Sequence, residues 1–214
     1  RISSSLRLPS WSFPFVPTRN MFLFNWFQDI LGFLGFKNKE AKICFLGCDN
    51  AGKTTLLQML KDGRLGAQPP TLYATCEELA IGKVKFRTYD LGGHETARRI
   101  WRDYYASVDG IVFLVDAADR TRFKEAAEEL HQLLDEPCLA EVPIVILGNK
   151  IDIPVAASED EFRQSLGIFH HMTSSEDDPK KGIPPARPIG VFMVSVVKRM
   201  GYAEAFQWLS KRIK

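Results

Sequence analysis

Cysteine is scarce in this chain, net charge is small, and no apolar run is long enough to cross a bilayer. Each shortage excludes something. The four cysteines, Cys44, Cys48, Cys76 and Cys138, show neither metal-ligand spacing nor a disulfide framework. Reduced thiols and a cytosolic address fit them best. A net charge of +2 argues against a dedicated nucleic-acid binder. Arg98, Arg99 and Arg102 read instead as a solvated or partner-facing helix surface. No internal repeat is visible. The densest apolar stretch, Phe22 to Phe36, would reach roughly 22 Å as a helix, against about 30 Å of hydrocarbon. No glycine follows Met21 for myristoylation, and Lys211-Arg212-Ile213-Lys214 carries no prenylation cysteine. What remains is ordinary for a soluble fold with a real core: 45% hydrophobic and 25% charged residues in 214, enough for one domain with appendages.

Gly47-Cys48-Asp49-Asn50-Ala51-Gly52-Lys53-Thr54 fits the phosphate-binding pattern G-x-x-x-x-G-K-[ST]. Ala41–Leu46 ahead of it reads as a buried strand, and Thr55–Lys61 behind it as a helix. Strand, loop and helix make an anion cradle of backbone N–H groups at the positive end of a helix. Gly47 and Gly52 let the backbone turn tightly and approach the ligand. Asn50, Ala51, Gly52, Lys53, Thr54 and Thr55 are the expected phosphate-binding residues. Lys53 reaches the β and γ phosphates, and the Thr54 hydroxyl is a magnesium ligand.

A second motif speaks for the base. Ile144–Gly148 is apolar and ends in Asn149-Lys150-Ile151-Asp152. A carboxylate there can accept from N1–H and the 2-amino group of guanine, a pair that adenine lacks, so Asp152 selects GTP. Asn149 would tie this loop to the phosphate loop, and the Lys150 stem would cover the base. A third motif, Asp90-Leu91-Gly92-Gly93-His94, follows the alternating strand Val84–Tyr89. Asp90 can hold the metal through water, and the Gly93 amide can bond the γ-phosphate. The Thr71 hydroxyl, in Pro69-Pro70-Thr71-Leu72, can complete the magnesium shell when that phosphate is present.

Strands are expected near 41–47, 76–82, 84–90, 110–115, 142–148 and 189–194. Helices are expected near 53–62, 97–106, 122–136, 159–166 and 201–213. That alternation is an α/β fold: a six-stranded, mostly parallel sheet flanked by helices, with ligand loops at the strands' carboxyl ends. His170 to Pro188 reads as a long surface loop.

Together these motifs, with Glu77-Glu78-Leu79, Trp101-Arg102-Asp103-Tyr104-Tyr105 and Val191–Val197, resemble the Sar family of small GTPases, relatives of Arf within the Ras superfamily. The likeness runs from about Met21 to the C-terminus. It implies a P-loop small GTPase that starts COPII coat assembly at the endoplasmic reticulum and acts in ER-to-Golgi transport. Its implied partners are the inner coat subunits as GTPase-activating partner, an exchange factor in the ER membrane, and ER lipid. By position, His94 would orient the attacking water, Ser195 and Val196 would form the last base-binding loop, and Asp49 would lie near the metal. Asp49 also reads as a simple turn or cap aspartate. Cys48 stands where the family usually has leucine. At a helix N-terminus its pKa could fall, adding oxidant sensitivity; the other reading is a small packed residue. Tyr73-Ala74-Thr75-Cys76 also departs from the family's first switch.

Residues 21–36 then become an amphipathic N-terminal helix that wedges into one leaflet in the GTP state, driven by Trp26 and the phenylalanines. Residues 37–214 form the GTPase domain. Residues 1–20 hold three arginines and five serines with no acid. They read as leader sequence ahead of Met21 or a disordered extension, and alternatively as a transit peptide, which would make an organelle-targeted GTPase. The expected activity is GTP hydrolysis to GDP, with Lys53, Thr71 and His94 catalytic and magnesium bound by Thr54, Thr71, Asp90 and Asp49. The competing reading is a GTP-bound scaffold without useful hydrolysis.

Overall fold

The computed structural model describes residue 32, residue 36 and residues 40–62, 77–81, 84–88, 108–168 and 187–213. Six strands among them form one sheet: β1 Ala41–Leu46, β2 Glu77–Ile81, β3 Val84–Thr88, β4 Gly110–Asp116, β5 Ile144–Asn149 and β6 Ile189–Met193. Their spatial order is β2-β3-β1-β4-β5-β6. Only the β2–β3 pair is antiparallel; the other four pairings are parallel. Four described helices cover the sheet: α1 Lys53–Asp62, α2 Phe123–Leu134, α3 Glu159–Ser165 and α4 Tyr202–Ser210.

The strands show why both faces need a cover. Side chains of a strand alternate between faces, and here each alternate is apolar. Ile43 and Phe45 of β1, Val112 and Leu114 of β4, and Val145 and Leu147 of β5 meet α1 and α4 in one core. Cys44, Leu46, Ile111, Phe113, Ile144 and Ile146 meet α2 and α3 in the other. Strands greasy on both sides belong in a parallel sheet between two helical layers. Phe206 of α4 is 1% exposed and meets Phe45 and Phe36 edge-on, at 6.0 and 6.4 Å. Cutting it to alanine would cost about 3–5 kcal/mol in transfer and cavity terms. Phe36, expected to close the N-terminal helix, is itself fully buried in this core.

Boundaries fall within two residues of those expected, except that the last helix ends at Ser210 rather than 213. Strand β5 starts at Ile144 rather than 142, because Val142 is spent in a turn on Leu139 and Pro143 has no N–H for a ladder. Helix α3 begins after Ser158, whose side chain accepts from the Glu161 amide, with three acids in the first turn to suit the helix dipole. The chain leaves β1 toward β3 and later crosses to β4 on the other side of β1. That switch of direction places the loop after β1 in the crevice where α/β sheets bind ligands. The expected helix 97–106 and the 170–188 loop, apart from Arg187 and Pro188, lie outside the described residues. So does the 21–36 segment, except Gly32 and Phe36. Among the described residues no helix is long and apolar enough to cross a membrane.

Candidate functional site

The loop after β1 runs directly into α1. Gly47 has φ +127°, and a Cβ there would lie 2.0 Å from the Leu114 carbonyl oxygen of β4. Only glycine lets the loop turn so close to the neighbouring strand. Asn50 follows with φ +58°, and Gly52 with φ +99°. The Leu56 amide donates to the Gly52 carbonyl at 2.9 Å and starts the helix.

Lys53, the first residue of α1, is 7% exposed. Its ammonium donates to the carbonyls of Gly47 and Cys48, both at 2.7 Å. A buried ammonium needs such partners, since leaving a charge unpaired in the interior costs several kcal/mol. Lys53 therefore spans the loop it belongs to, at the spot where phosphates are expected. Thr54 and Thr55 follow in the first turn, half-buried.

The loops after β5 and β6 meet this one. The Asn149 side chain donates through Nδ2 to the Ala51 carbonyl at 2.9 Å and accepts at Oδ1 from the Val196 amide at 3.2 Å. One buried amide thus joins all three loops. It also explains Gly52, because a Cβ there would sit 2.4 Å from Asn149 Nδ2. Asp152 accepts at Oδ1 from the Ser195 hydroxyl at 2.6 Å. The same hydroxyl accepts from the Lys198 amide at 3.0 Å. Lys150, with φ +71°, pairs with Asp116 at the end of β4 at 2.6 Å. A non-glycine residue held in the left-handed region points to function when its surroundings fix it. So Asn50, Ala51, Gly52, Lys53, Asn149, Lys150, Asp152, Ser195 and Val196 come together at one edge of the sheet. Thr71, Asp90, Gly93 and His94 lie outside the described residues.

Two members were not legible beforehand. Arg122 donates from Nη1 to the Asp49 carbonyl at 2.9 Å and from Nη2 to the Asp49 carboxylate. Its Nε and Nη2 also engage Glu125 at 2.9 Å each. The Asp49 carboxyl is held below its ordinary range chiefly by the Arg122 hydrogen bond. The Arg122 guanidinium is held more firmly charged, first by Glu125 and then by Asp49. Asp116, the other, anchors Lys150 and accepts from the Ala118 amide at 2.9 Å. A carboxylate after an apolar strand was its only signal.

Cys48 reverses an expectation. It is 7% exposed, and burial, with Glu125 second, pushes its thiol up to about 11. The anticipated lowering at a helix N-terminus is outweighed by desolvation, which favours the packed-residue reading.

Were magnesium to bind, the oxygen donors that the described part of the site could offer are the hydroxyl of Thr54 and the carboxylate of Asp49, the latter engaged by Arg122. These are hard oxygen donors of the kind magnesium takes, one or two at a time beside phosphate oxygens. Among the described residues no group of three acids, histidines or cysteines gathers elsewhere as a metal cage.

The sequence matches the model of the ADP-ribosylation factor family over residues 27–213. It is 48% identical to the small COPII coat GTPase SAR1 of Giardia intestinalis, over 87% of this chain and 97% of that protein. It is 47% identical to the tobacco (Nicotiana tabacum) protein of the same name, over 91% and 100%. ADP-ribosylation factor 3 of Arabidopsis thaliana is 34% identical over 84% and 91%. The chain belongs to the Arf family of guanine-nucleotide-binding, GTP-hydrolysing small GTPases, on its Sar branch.

Proposed function

We propose that the chain is the switch that starts a COPII coat: it binds GTP at the three joined loops, carries an N-terminal helix into the endoplasmic reticulum membrane in that state, and resets by hydrolysis. The observation that carries the reading is the Asn149 bridge. It sets a carboxylate fit for guanine, Asp152, beside a glycine loop fit for phosphates, in one rigid frame. Asp152 has one oxygen committed to Ser195, which aims the carboxylate, and guanine's N–H donors would complete it. Ser195 and Val196 would close the loop over the base.

On the phosphate side, Lys53 would direct its ammonium at β- and γ-phosphate oxygens from its place against the Gly47 and Cys48 carbonyls. Asn50 to Thr55 would offer backbone N–H groups at the head of α1. Thr54, Thr71, Asp90 and Asp49 are the proposed magnesium residues. The ion, when bound, neutralises charge developing between the β and γ phosphates. His94 would orient the attacking water and Thr71 and Gly93 would sense the γ-phosphate, so that catalysis is positioning and electrostatics. We assign residues 21–36 the membrane role, with ER lipid, an ER-membrane exchange factor and the inner coat subunits as partners. The protein would then divide its time between the cytosol, the cytoplasmic face of the endoplasmic reticulum and ER-to-Golgi vesicles.

Liposome flotation tests the whole reading. The chain should float with a non-hydrolysable GTP analogue and stay in solution with GDP. Equal behaviour in both states would sink the gated helix. Phosphate release measured with and without coat subunits separates the enzyme from a non-hydrolysing scaffold.

A further inference from the structure

We propose that Arg122 is a positioning residue that neutralises Asp49 in the phosphate loop and thereby sets how long a nucleotide stays bound. This deepens the proposed nucleotide site and rests on it.

The loop must attract several phosphate charges, yet it carries a carboxylate of its own. Asp49 sits two residues after Gly47 and four before Lys53. Left alone, that carboxylate would repel the ligand, because like charges a few ångströms apart in a protein still feel one another. The structure shows what cancels it. Arg122 comes from the turn after β4, 73 residues away in sequence. It grips Asp49 at both the backbone carbonyl and the carboxylate, a forked grip that lysine could not copy. Glu125, on the first turn of α2, holds the same guanidinium by two further bonds, so Arg122 is aimed before any ligand arrives. The grip lies beside Asn50, where the loop takes its left-handed turn. Losing Arg122 would do two things: free a negative charge beside the phosphates and release the carbonyl that fixes the turn.

The two effects separate in a double mutant. The full chain is loaded with a fluorescent GDP analogue and chased with excess GDP, with magnesium and again in excess chelator. The chelator arm removes any metal role of Asp49. Because the pair is partly exposed and therefore screened, Arg122→Gln should release nucleotide about tenfold faster than wild type. Asp49→Asn combined with Arg122→Gln removes the uncancelled charge, and in the chelator arm, where any metal role of Asp49 is absent, release should return to within about threefold of wild type in the same arm. An unchanged rate for Arg122→Gln would overturn the proposal. So would a double variant as fast as the single, since that is the mark of mere bracing. If Arg122→Gln does not fold, Arg122→Lys carries the test: charge without the fork should keep release within about threefold, and a tenfold increase would refute the charge argument. A wild-type chain that fails to retain the analogue would instead strike at the nucleotide site itself.

Discussion

The proposed base side and the proposed phosphate side of the site have settled their hydrogen bonds in opposite ways. On the base side, Asn149, Asp152, Ser195 and Val196 already hold one another in place, so a base would be met without rearrangement. On the phosphate side, Lys53 is occupied with its own loop's carbonyls, and Asp49 with Arg122. A ligand there would meet groups already engaged in bonds of their own. The difference teaches where discrimination and affinity arise. A preset base pocket discriminates, because a wrong base leaves its polar groups unpaired. A phosphate loop braced by its own ammonium would present that charge, ready placed, to something as negative as phosphate.

The strongest way to break this comparison is Lys53→Ala. It removes a buried ammonium and its bonds to Gly47 and Cys48, each worth about 1.5–3 kcal/mol when charge-assisted. Affinity for GDP and GTP should fall by about two to three orders of magnitude, read by fluorescent-nucleotide titration. A loss under tenfold would mean the ammonium does not hold the phosphates.

Asp152→Asn attacks the other side, and should change preference more than affinity for nucleotides as such. An amide cannot accept two guanine N–H bonds, so discrimination for GTP should fall by about a hundredfold or more. Xanthosine triphosphate, with a carbonyl where guanine has an amino group, should gain by accepting from the new amide. Competition between the two triphosphates decides it. Unchanged GTP preference would detach Asp152 from the base. Ser195→Ala is the milder probe. It takes away the hydroxyl that orients Asp152 and caps the Lys198 amide, a loss of about 1 kcal/mol or about fivefold in GTP affinity. Asp152→Asn and Ser195→Ala combined should be less than additive, since they act through one contact.

Much of this was readable in the chain because it rests on local rules. Apolar runs such as Ile111–Val115 can only be strands buried on both faces. The glycine pattern of the phosphate loop has a steric cause visible in Gly47 against Leu114. Even the Asn149 bridge followed from its motif. Arg122 was illegible because nothing local marks it, and Asp116 had only its place at the end of an apolar strand. A lone arginine in a turn acquires meaning only when folding sets it against a residue 73 positions away. Thr71, Asp90, Gly93 and His94 keep the standing their motifs give them.

Cys48 shows the same limit from the other direction, and offers the smallest expected effect. Its place in the chain, at the head of a helix, argues for a low pKa. Its place in the fold argues the reverse, because desolvation acts on the thiolate from every side and a helix terminus from only one. With the thiol pushed up to about 11 from an ordinary 9.0, the thiolate is present at about one part in ten thousand at pH 7, and thiol reagents need the thiolate. Cys138 is exposed and open to reagent. Brief iodoacetamide treatment at pH 7 should therefore alkylate Cys138 well before Cys48, as peptide mass spectrometry would show. Mild peroxide should leave GTP affinity unchanged. The folded-state pKa is the higher one, so its contribution to stability is complete below pH 9 and declines as pH rises toward 11. Cys48 labelling should climb over that same window. Prompt labelling of Cys48 at neutral pH would mean that the phosphate loop opens far more often than its bonds to Lys53 and Arg122 imply, and the contrast between a braced phosphate side and a preset base side would need redrawing as one between a mobile loop and a fixed one.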